Sequence, residues 1–279
     1  MARIQVISDS ACDVPDDIAR RLGIEIVPLS IRFGDDEYTD RVELTPKEFW
    51  LKCKASKGLP ETSAPSPGAF QDAYERAHRD GCDGVVVLTL SAALSATHQS
   101  AVLGAGAVAS LLPVRVLDTK AVTMAQGLLV IDVAELAHTG ATLDEVLQHA
   151  ESLVAKVGVC VMLDTLEHLV KSGRVGGARA LLGQVLAIKP LLGLKDGVVA
   201  EAGRQRTRAR AIAAIAEVAR AHAPLRRLAL VHGAADDFDA LSDLARAITS
   251  EFPLVVADIG PVAGTHGGPG MVGLCWIGA

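Results

Sequence analysis

The segment LTLSAALSATHQSA, Leu88 to Ala101, sets Ser91, Ser95, Thr97 and His98 between an apolar run and a helical pattern. No acid stands beside them in sequence, so the cluster offers hydrogen-bond donors more readily than a self-contained nucleophile. A second hydroxyl group, Thr62 and Ser63, lies in PETSAPSPGAF, where Pro65 and Pro67 hold an extended, stiff loop leading into a helix that begins near Pro67. A third motif is IGPVAGTHGGPG, Ile259 to Gly270, whose glycines let the backbone approach a ligand closely around His266. It lacks the Lys-Ser/Thr ending and the following helix of a phosphate loop. Hydroxyls combined with the unbonded amides of a helix N-terminus suit a small anionic head group. The bland alternative is that Ser95 caps a helix and Ser91 makes a turn.

Positioning these groups requires a frame. Gly84 to Leu90 reads as a buried strand, SAALS as the loop at its carboxyl end, and the next helix as starting near Ala96 with Ser95 as N-cap. Ligands of open α/β sheets collect at that edge. IQVIS, DGVVVLTL and VRVLD alternate with Ala-, Leu- and Glu-rich helical patterns, the signature of parallel strands joined by crossovers. GAGAVA, from Gly104 to Ala109, falls inside a helix, where its glycines would permit close helix packing.

The second half differs. Asp196-Gly197 between two extended runs signals a hairpin, and helices at about 207–222 and 236–249 separate the remaining strand-like runs. The expectation is a two-domain α/β protein: residues 1–155 form an N-terminal α/β domain around a parallel sheet, and residues 156–279 a C-terminal α+β domain with a mixed sheet.

Composition narrows the function. A chain of 279 residues that is 50% hydrophobic can bury a substantial core. A net charge of −6 and only 3% aromatics argue against nucleic acid, which calls for a basic face and stacking platforms. In RQRTRAR the basic residues alternate into a helix start and read as a solvated or partner-facing edge. Cys12, Cys53, Cys82, Cys160 and Cys275 are scattered without zinc-like spacing, as expected of reduced thiols. MARIQVISDS has no charged leader followed by an apolar core, so cytoplasmic residence is expected. The richest apolar stretch, Ala180 to Leu194, is broken by Gln184, Lys189 and Pro190, short of the roughly 18 residues of a spanning helix. Asp9 and Asp13 in SDSACDVPDD read as turn and capping residues in preference to metal ligands. His78, His138, His149 and His222 are expected on solvated helix faces or ends, and His168 and His232 are ambiguous.

In their order along the chain, SDSACDVP, IVPLSIRFGDDEYTD, TSAPSPGAF, LSAALSATHQSA, VLDTKAVTMAQGLLV, DTLEHLVKSGRVGGARALLGQVLAIKPLL, DGVVAEAGRQRTR and IGPVAGTHGGPGMVG resemble the DegV family of bacterial fatty-acid-binding proteins, over essentially the whole chain. The resemblance implies a two-domain fold with a buried acyl chain. In several lineages it also implies the fatty-acid-carrying subunit of fatty acid kinase. There a separate ATP-binding subunit phosphorylates the bound carboxylate, and the acyl phosphate feeds phospholipid synthesis.

Carried over by motif, Thr62 and Ser95 match the hydroxyls that bind the carboxylate, with Ser63 and His266 close by. Arg174 in SGRVGGA matches the arginine that docks the kinase subunit, and the glycines around it imply a side chain projecting from the surface. The implied ligand is a long-chain fatty acid such as palmitate or oleate, with no cofactor, no metal and no catalytic residue of the chain's own. Departures stand at Ala92, where the family has a second Ser, at Ala96, where it has Gly, at His98, where it has an aromatic, and at Gly267, where it has Thr. The competing reading is a stand-alone hydrolase or phosphotransferase in which Ser95 is activated by His266 or His98.

Overall fold

One helix organises the molecule. The sequence MAQGLLVIDVAELA is apolar on every side, so it is stable only with protein all around it. It forms a helix, Met124–Ala137, packed against strands of both main sheets, and twelve of its fourteen residues are buried.

The computed structural model describes residues 1–279 except 57, 182–187 and 249, and the side chains of 180 and 181. In chain order the first half comprises β1 (Ile4–Asp9), α1 (Asp16–Arg21), β2 (Glu25–Val27), β3 (Ser30–Phe33), β4 (Asp36–Thr39), α2 (Pro46–Ala55), β5 (Glu61–Ser63), α3 (Pro67–Arg79), β6 (Gly84–Thr89), α4 (Thr97–Ala107), β7 (Val114–Asp118), α5 (Met124–Ala137) and α6 (Leu143–Val154). The second comprises β8 (Val157–Met162), α7 (Glu167–Lys171), β9 (Lys189–Lys195), β10 (Val198–Gln205), α8 (Arg208–Arg220), β11 (Leu225–Gly233), α9 (Phe238–Arg246), β12 (Val255–Asp258), α10 (Pro261–Gly267) and β13 (Met271–Gly278).

The first sheet has the order β2-β1-β6-β7 and is parallel throughout. Its central strand β6, GVVVLT, is buried at every position, as a parallel strand covered on both faces must be. The second sheet, β10-β9-β8-β13-β11-β12, is mixed: β11 and β12 are parallel, and the other pairs among the described residues are antiparallel. The fold is thus α/β, with a parallel sheet first and a mixed one second. One apolar cluster containing Val6, Val86, Leu128, Val161 and Ala229 runs through both sheets and α5.

Several local expectations hold. Ser66 caps α3 by accepting the Ala69 N–H, and Pro67 opens the helix. Asp196 and Gly197, both at positive φ, form the two-residue turn between β9 and β10. Gly104 lies where a Cβ would come within 2.7 Å of the Pro67 carbonyl of α3, so its missing side chain does allow close packing; Gly106 faces open space.

Others need correction. Thr62 and Ser63 belong to β5, in a small antiparallel sheet β4-β3-β5, and not to a loop. Helix α4 begins at Thr97 with Ala96 as N-cap, so Ser95 does not cap it; its hydroxyl accepts the Thr97 N–H at 3.3 Å, one residue too early. The Gly-rich IGPVAGTHGGPG contains helix α10, because small residues let it lie against Phe49 and Trp50 of α2: a Cβ at Gly264 would be 2.7 Å from the Phe49 ring. His149 is not simply solvated, since its Nε2 lies 2.6 Å from the buried Asp132 carboxylate. The helix expected at 236–249 ends at Arg246, and Thr249 lies outside the described residues, as does Gln184.

Candidate functional site

The ends of the parallel strands are tied together by buried polar groups, and these ties place the hydroxyl loops. Asp9, last in β1, accepts the Ala11 N–H and reaches across to the Leu90 N–H at 2.7 Å. Gln126 of α5 donates to Ser8 Oγ and to Asp9 Oδ2. Asp13 accepts Thr123 Oγ1–H at 2.5 Å and the Gly260 N–H, at the start of α10, at 3.0 Å. Thr123 has φ 52°, a strained conformation for a β-branched residue, and Asp13 holds it there. Burial raises Asp9 to about 6 and Asp13 to about 7, the Asp40 charge adding to the Asp13 shift.

Between the two sheets lies an apolar cavity enclosing about 840 Å³ of empty space, its mouth included. Leu29, Leu90, Val161, Leu192, Val262 and Met271 are among its walls. Thr62, Ser95, Arg174 and His266 line the same cavity, brought there by β5, the loop after β6, the segment after α7 and α10.

Thr62 Oγ1 and His266 Nε2 are hydrogen-bonded at 3.0 Å, and His266 Nδ1 has no partner among the described residues. Burial first, then the charges of Arg174 and His168, lower His266 to about 4, so the imidazole is neutral near pH 7. A neutral imidazole and a hydroxyl own two polar hydrogens and spend one on each other. In either tautomer one remains, on Nδ1 or on Thr62, for an acceptor. Ser95 Oγ pairs with Thr97 Oγ1 at 2.9 Å. The site is therefore apolar in its walls and rich in donors at one end.

Two expectations about placement change. Ser63 is exposed and is not part of the cavity wall: side chains alternate along β5, so the register that turns Thr62 inward turns Ser63 away. Arg174 does not project from the surface. It is half-buried and folded back, its Nε donating to Leu94 O at 3.4 Å and Nη1 to Ser172 O at 2.6 Å, which sets the guanidinium beside the Ser95 loop. Sequence reasoning passed over Thr123, Gln126 and Asp13 as parts of the site; the VTMAQG motif was the available signal.

The two histidines considered as bases are otherwise engaged. His98 Nδ1 pairs with Thr89 Oγ1 and His266 Nε2 with Thr62, so no Ser95–His hydrogen bond exists among the described residues. The described residues hold no grouping of three or more His, Cys, Asp or Glu suited to a metal, and no helix among them is long and apolar enough to cross a membrane.

Fold and cavity together define an α/β protein of two main sheets with an apolar cavity lined at one end by hydroxyl, imidazole and guanidinium groups. The chain belongs to the DegV family, whose model, described as an uncharacterised protein of that family, matches residues 3–279. A DegV domain-containing protein of Streptomyces coelicolor is 36% identical over 275 residues, 97% of each chain. Among solved structures, a DegV family protein of Thermus thermophilus, described by its fatty acid binding, superposes with a TM-score of 0.91 at 35% identity, covering 99% of this chain and 100% of its own. A stearic-acid-binding protein of Eubacterium ventriosum has a TM-score of 0.88 at 25% identity, covering 99% of this chain and 98% of its own.

Proposed function

We propose that this chain binds one long-chain fatty acid of the palmitate or oleate class and presents its carboxylate to a separate ATP-binding kinase subunit for acyl-phosphate formation. The observation that carries the reading is the meeting of Thr62, Ser95, His266 and Arg174, from four distant segments, at one apolar cavity. The tail lies among the aliphatic walls, and Thr62, Ser95 and His266 hold the head group, with Arg174 beside them. About fourteen to sixteen methylenes at roughly 0.8 kcal/mol each supply about 11–13 kcal/mol before the costs of association, so the tail dominates affinity and the donors set orientation. Ser63 drops out of the head-group set.

The binding activity of the Thermus and Eubacterium relatives supports the lipid. The kinase partnership rests on the Arg174 motif and on the absence of a phosphate loop from the sequence. A carrier also suits the histidines, since no base stands on Ser95 as a stand-alone hydrolase or phosphotransferase requires. Five free cysteines fit the cytoplasmic setting in which such a kinase works.

Mass spectrometry of an organic extract of the purified protein tests the lipid without assuming it. A long-chain fatty acid near one equivalent is the expected result. Protein that is consistently empty and ignores added palmitate or oleate overturns the reading.

A further inference from the structure

A second chamber adjoins the cavity. It is open to solvent, about 960 Å³ with the space at its mouth, and its lining is as polar as apolar: Ala121, Val154, Val157, Val159 and Leu194 stand beside Thr119, Lys120, Glu151 and Asp196. Among the described residues, Val159 and Leu194 alone line both spaces.

These two residues stand at a particular place in the sheet. The ladder between β8 and β9 pairs Met162 with Leu191 and Val161 with Leu192, and among the described residues it stops there. Continued by two residues, the same register sets Val159 opposite Leu194. Between Leu192 and Leu194 is Gly193, where a Cβ would come within 2.9 Å of the Val159 carbonyl. The seam thus carries two aliphatic side chains of modest size and one residue with none. Val159, Gly193 and Leu194 are each half-buried, and Val159 and Leu194 border space on both sides.

The chamber also has a fixed wall. Ser91 Oγ donates to Gly197 O at 2.8 Å, tying the β9–β10 turn to the loop that carries Ser95. A Cβ at Gly197 would stand 2.4 Å from that hydroxyl, so the turn sits closely on the loop.

We propose that the acyl cavity continues through the Val159–Leu194 seam into this chamber, which takes the ends of fatty-acid tails longer than the cavity itself. The inference rests on the fatty-acid reading above. Alternation along β8 puts Leu163, Val161 and Val159 on the cavity and Val157 next on the same face, in the chamber. Two residues add about 6.6 Å along the strand, a length of several methylenes. Each methylene buried there raises affinity about fourfold. Val157 and Val159 therefore govern acyl-length preference, apart from the head-group residues.

The test compares palmitate with the twenty-carbon saturated acid on the parent and on Val157→Phe, which narrows the chamber without touching the cavity. The parent should bind the longer acid at least as tightly as palmitate. The variant should keep palmitate within about twofold and lose the longer acid by about tenfold or more. Ala155→Trp, at an exposed position on the chamber wall, carries the same test should Val157→Phe fail to fold. A parent that binds palmitate but rejects the longer acid, or a folded variant that treats both acids as the parent does, overturns the chamber proposal alone. A parent that binds neither acid overturns it together with the carrier reading.

Discussion

Thr62 Oγ1 and His266 Nε2 lie 3.0 Å apart although 204 residues separate them, and with His266 neutral the pair acts as one donor unit. Ser95, bonded to Thr97, is a separate donor. A hydrogen bond to a charged group contributes roughly 1.5–3 kcal/mol, so Thr62→Ala and Ser95→Ala should each weaken palmitate binding about tenfold or more without abolishing it. The couplings should differ. Thr62→Ala with His266→Ala should be little worse than either alone, whereas Thr62→Ala with Ser95→Ala should be close to additive. Titration calorimetry on folded variants reads the cycle, and single variants that bind like the parent would place the carboxylate elsewhere.

Stability should fall as the pH rises from about 5 toward 8. Burial raises Asp13 to about 7 and Asp9 and Asp40 to about 6 from an ordinary 3.8, so between those values the native state holds protons that the unfolded chain has released. Raising the pH through the native values removes that advantage. His266, lowered to about 4 from 6.5, acts in the opposite sense between those two values, one group against three. Asp13→Asn keeps an acceptor for the Gly260 N–H while removing the buried charge. It should raise Tm at pH 8 and narrow the difference between pH 5.5 and pH 8. An unchanged difference in thermal scans would count against Asp13 as a source of the dependence.

Much of the frame was legible because its signals are local. The apolar run of β6, the Ser66-Pro67 start of α3 and the Asp196-Gly197 turn each follow from residues adjacent in sequence. The misreadings are tertiary. β5 has three residues, too few for a period-two pattern, and exists because Arg32, Ile31 and Ser30 pair with it. α10 carries Gly264 because Phe49 and Trp50 leave no room there for a side chain, a contact between distant segments. Arg174 turns inward to satisfy two carbonyls that no sequence pattern announces.

Asp132 bolts α5 to the second sheet. Its buried carboxylate accepts from Arg226 Nε at 2.8 Å and Arg227 Nε at 2.5 Å, and His149 Nε2 completes its shell. Arg227 is itself buried over the Phe252 ring. Asp132→Ala leaves the buried Arg227 with Glu135 as its remaining carboxylate, so the loss should approach the roughly 3–5 kcal/mol of a broken buried ion pair. Urea unfolding measures it; a loss below about 1 kcal/mol would show that water or a neighbouring carboxylate replaces the bolt.

The resemblance sets Thr at the place of Gly267, and the structure supplies a steric partner for the glycine. A Cβ there would fall 1.9 Å from Met271 Sδ, and Met271 walls the cavity. Gly267→Thr alone should push Met271 into the cavity or destabilise α10, lowering palmitate affinity. Adding Met271→Ala removes the obstruction and should recover much of the loss. If the double variant binds no better than Gly267→Thr, the single-variant defect is not steric.

Arg174 distinguishes holding a fatty acid from presenting it. Its guanidinium is half-buried against Leu94 O and Ser172 O, next to the Ser95 loop, so it is preorganised and has little side-chain entropy left to lose on meeting an acidic partner surface. Removing it also takes a positive charge from the cavity mouth, so some weakening of fatty-acid binding is expected, and the assay must be run with the fatty acid saturating. Under that condition Arg174→Ala should stay stoichiometrically loaded yet form acyl phosphate slowly when ATP and the kinase subunit are added below saturation, since lost interfacial charges act on association. Arg174→Lys should recover only part of the rate, because a flexible ammonium cannot reproduce the fork held by two carbonyls. Equal rates for all three proteins would remove Arg174 from the docking surface, and acyl phosphate formed by this chain with ATP alone would end the carrier reading.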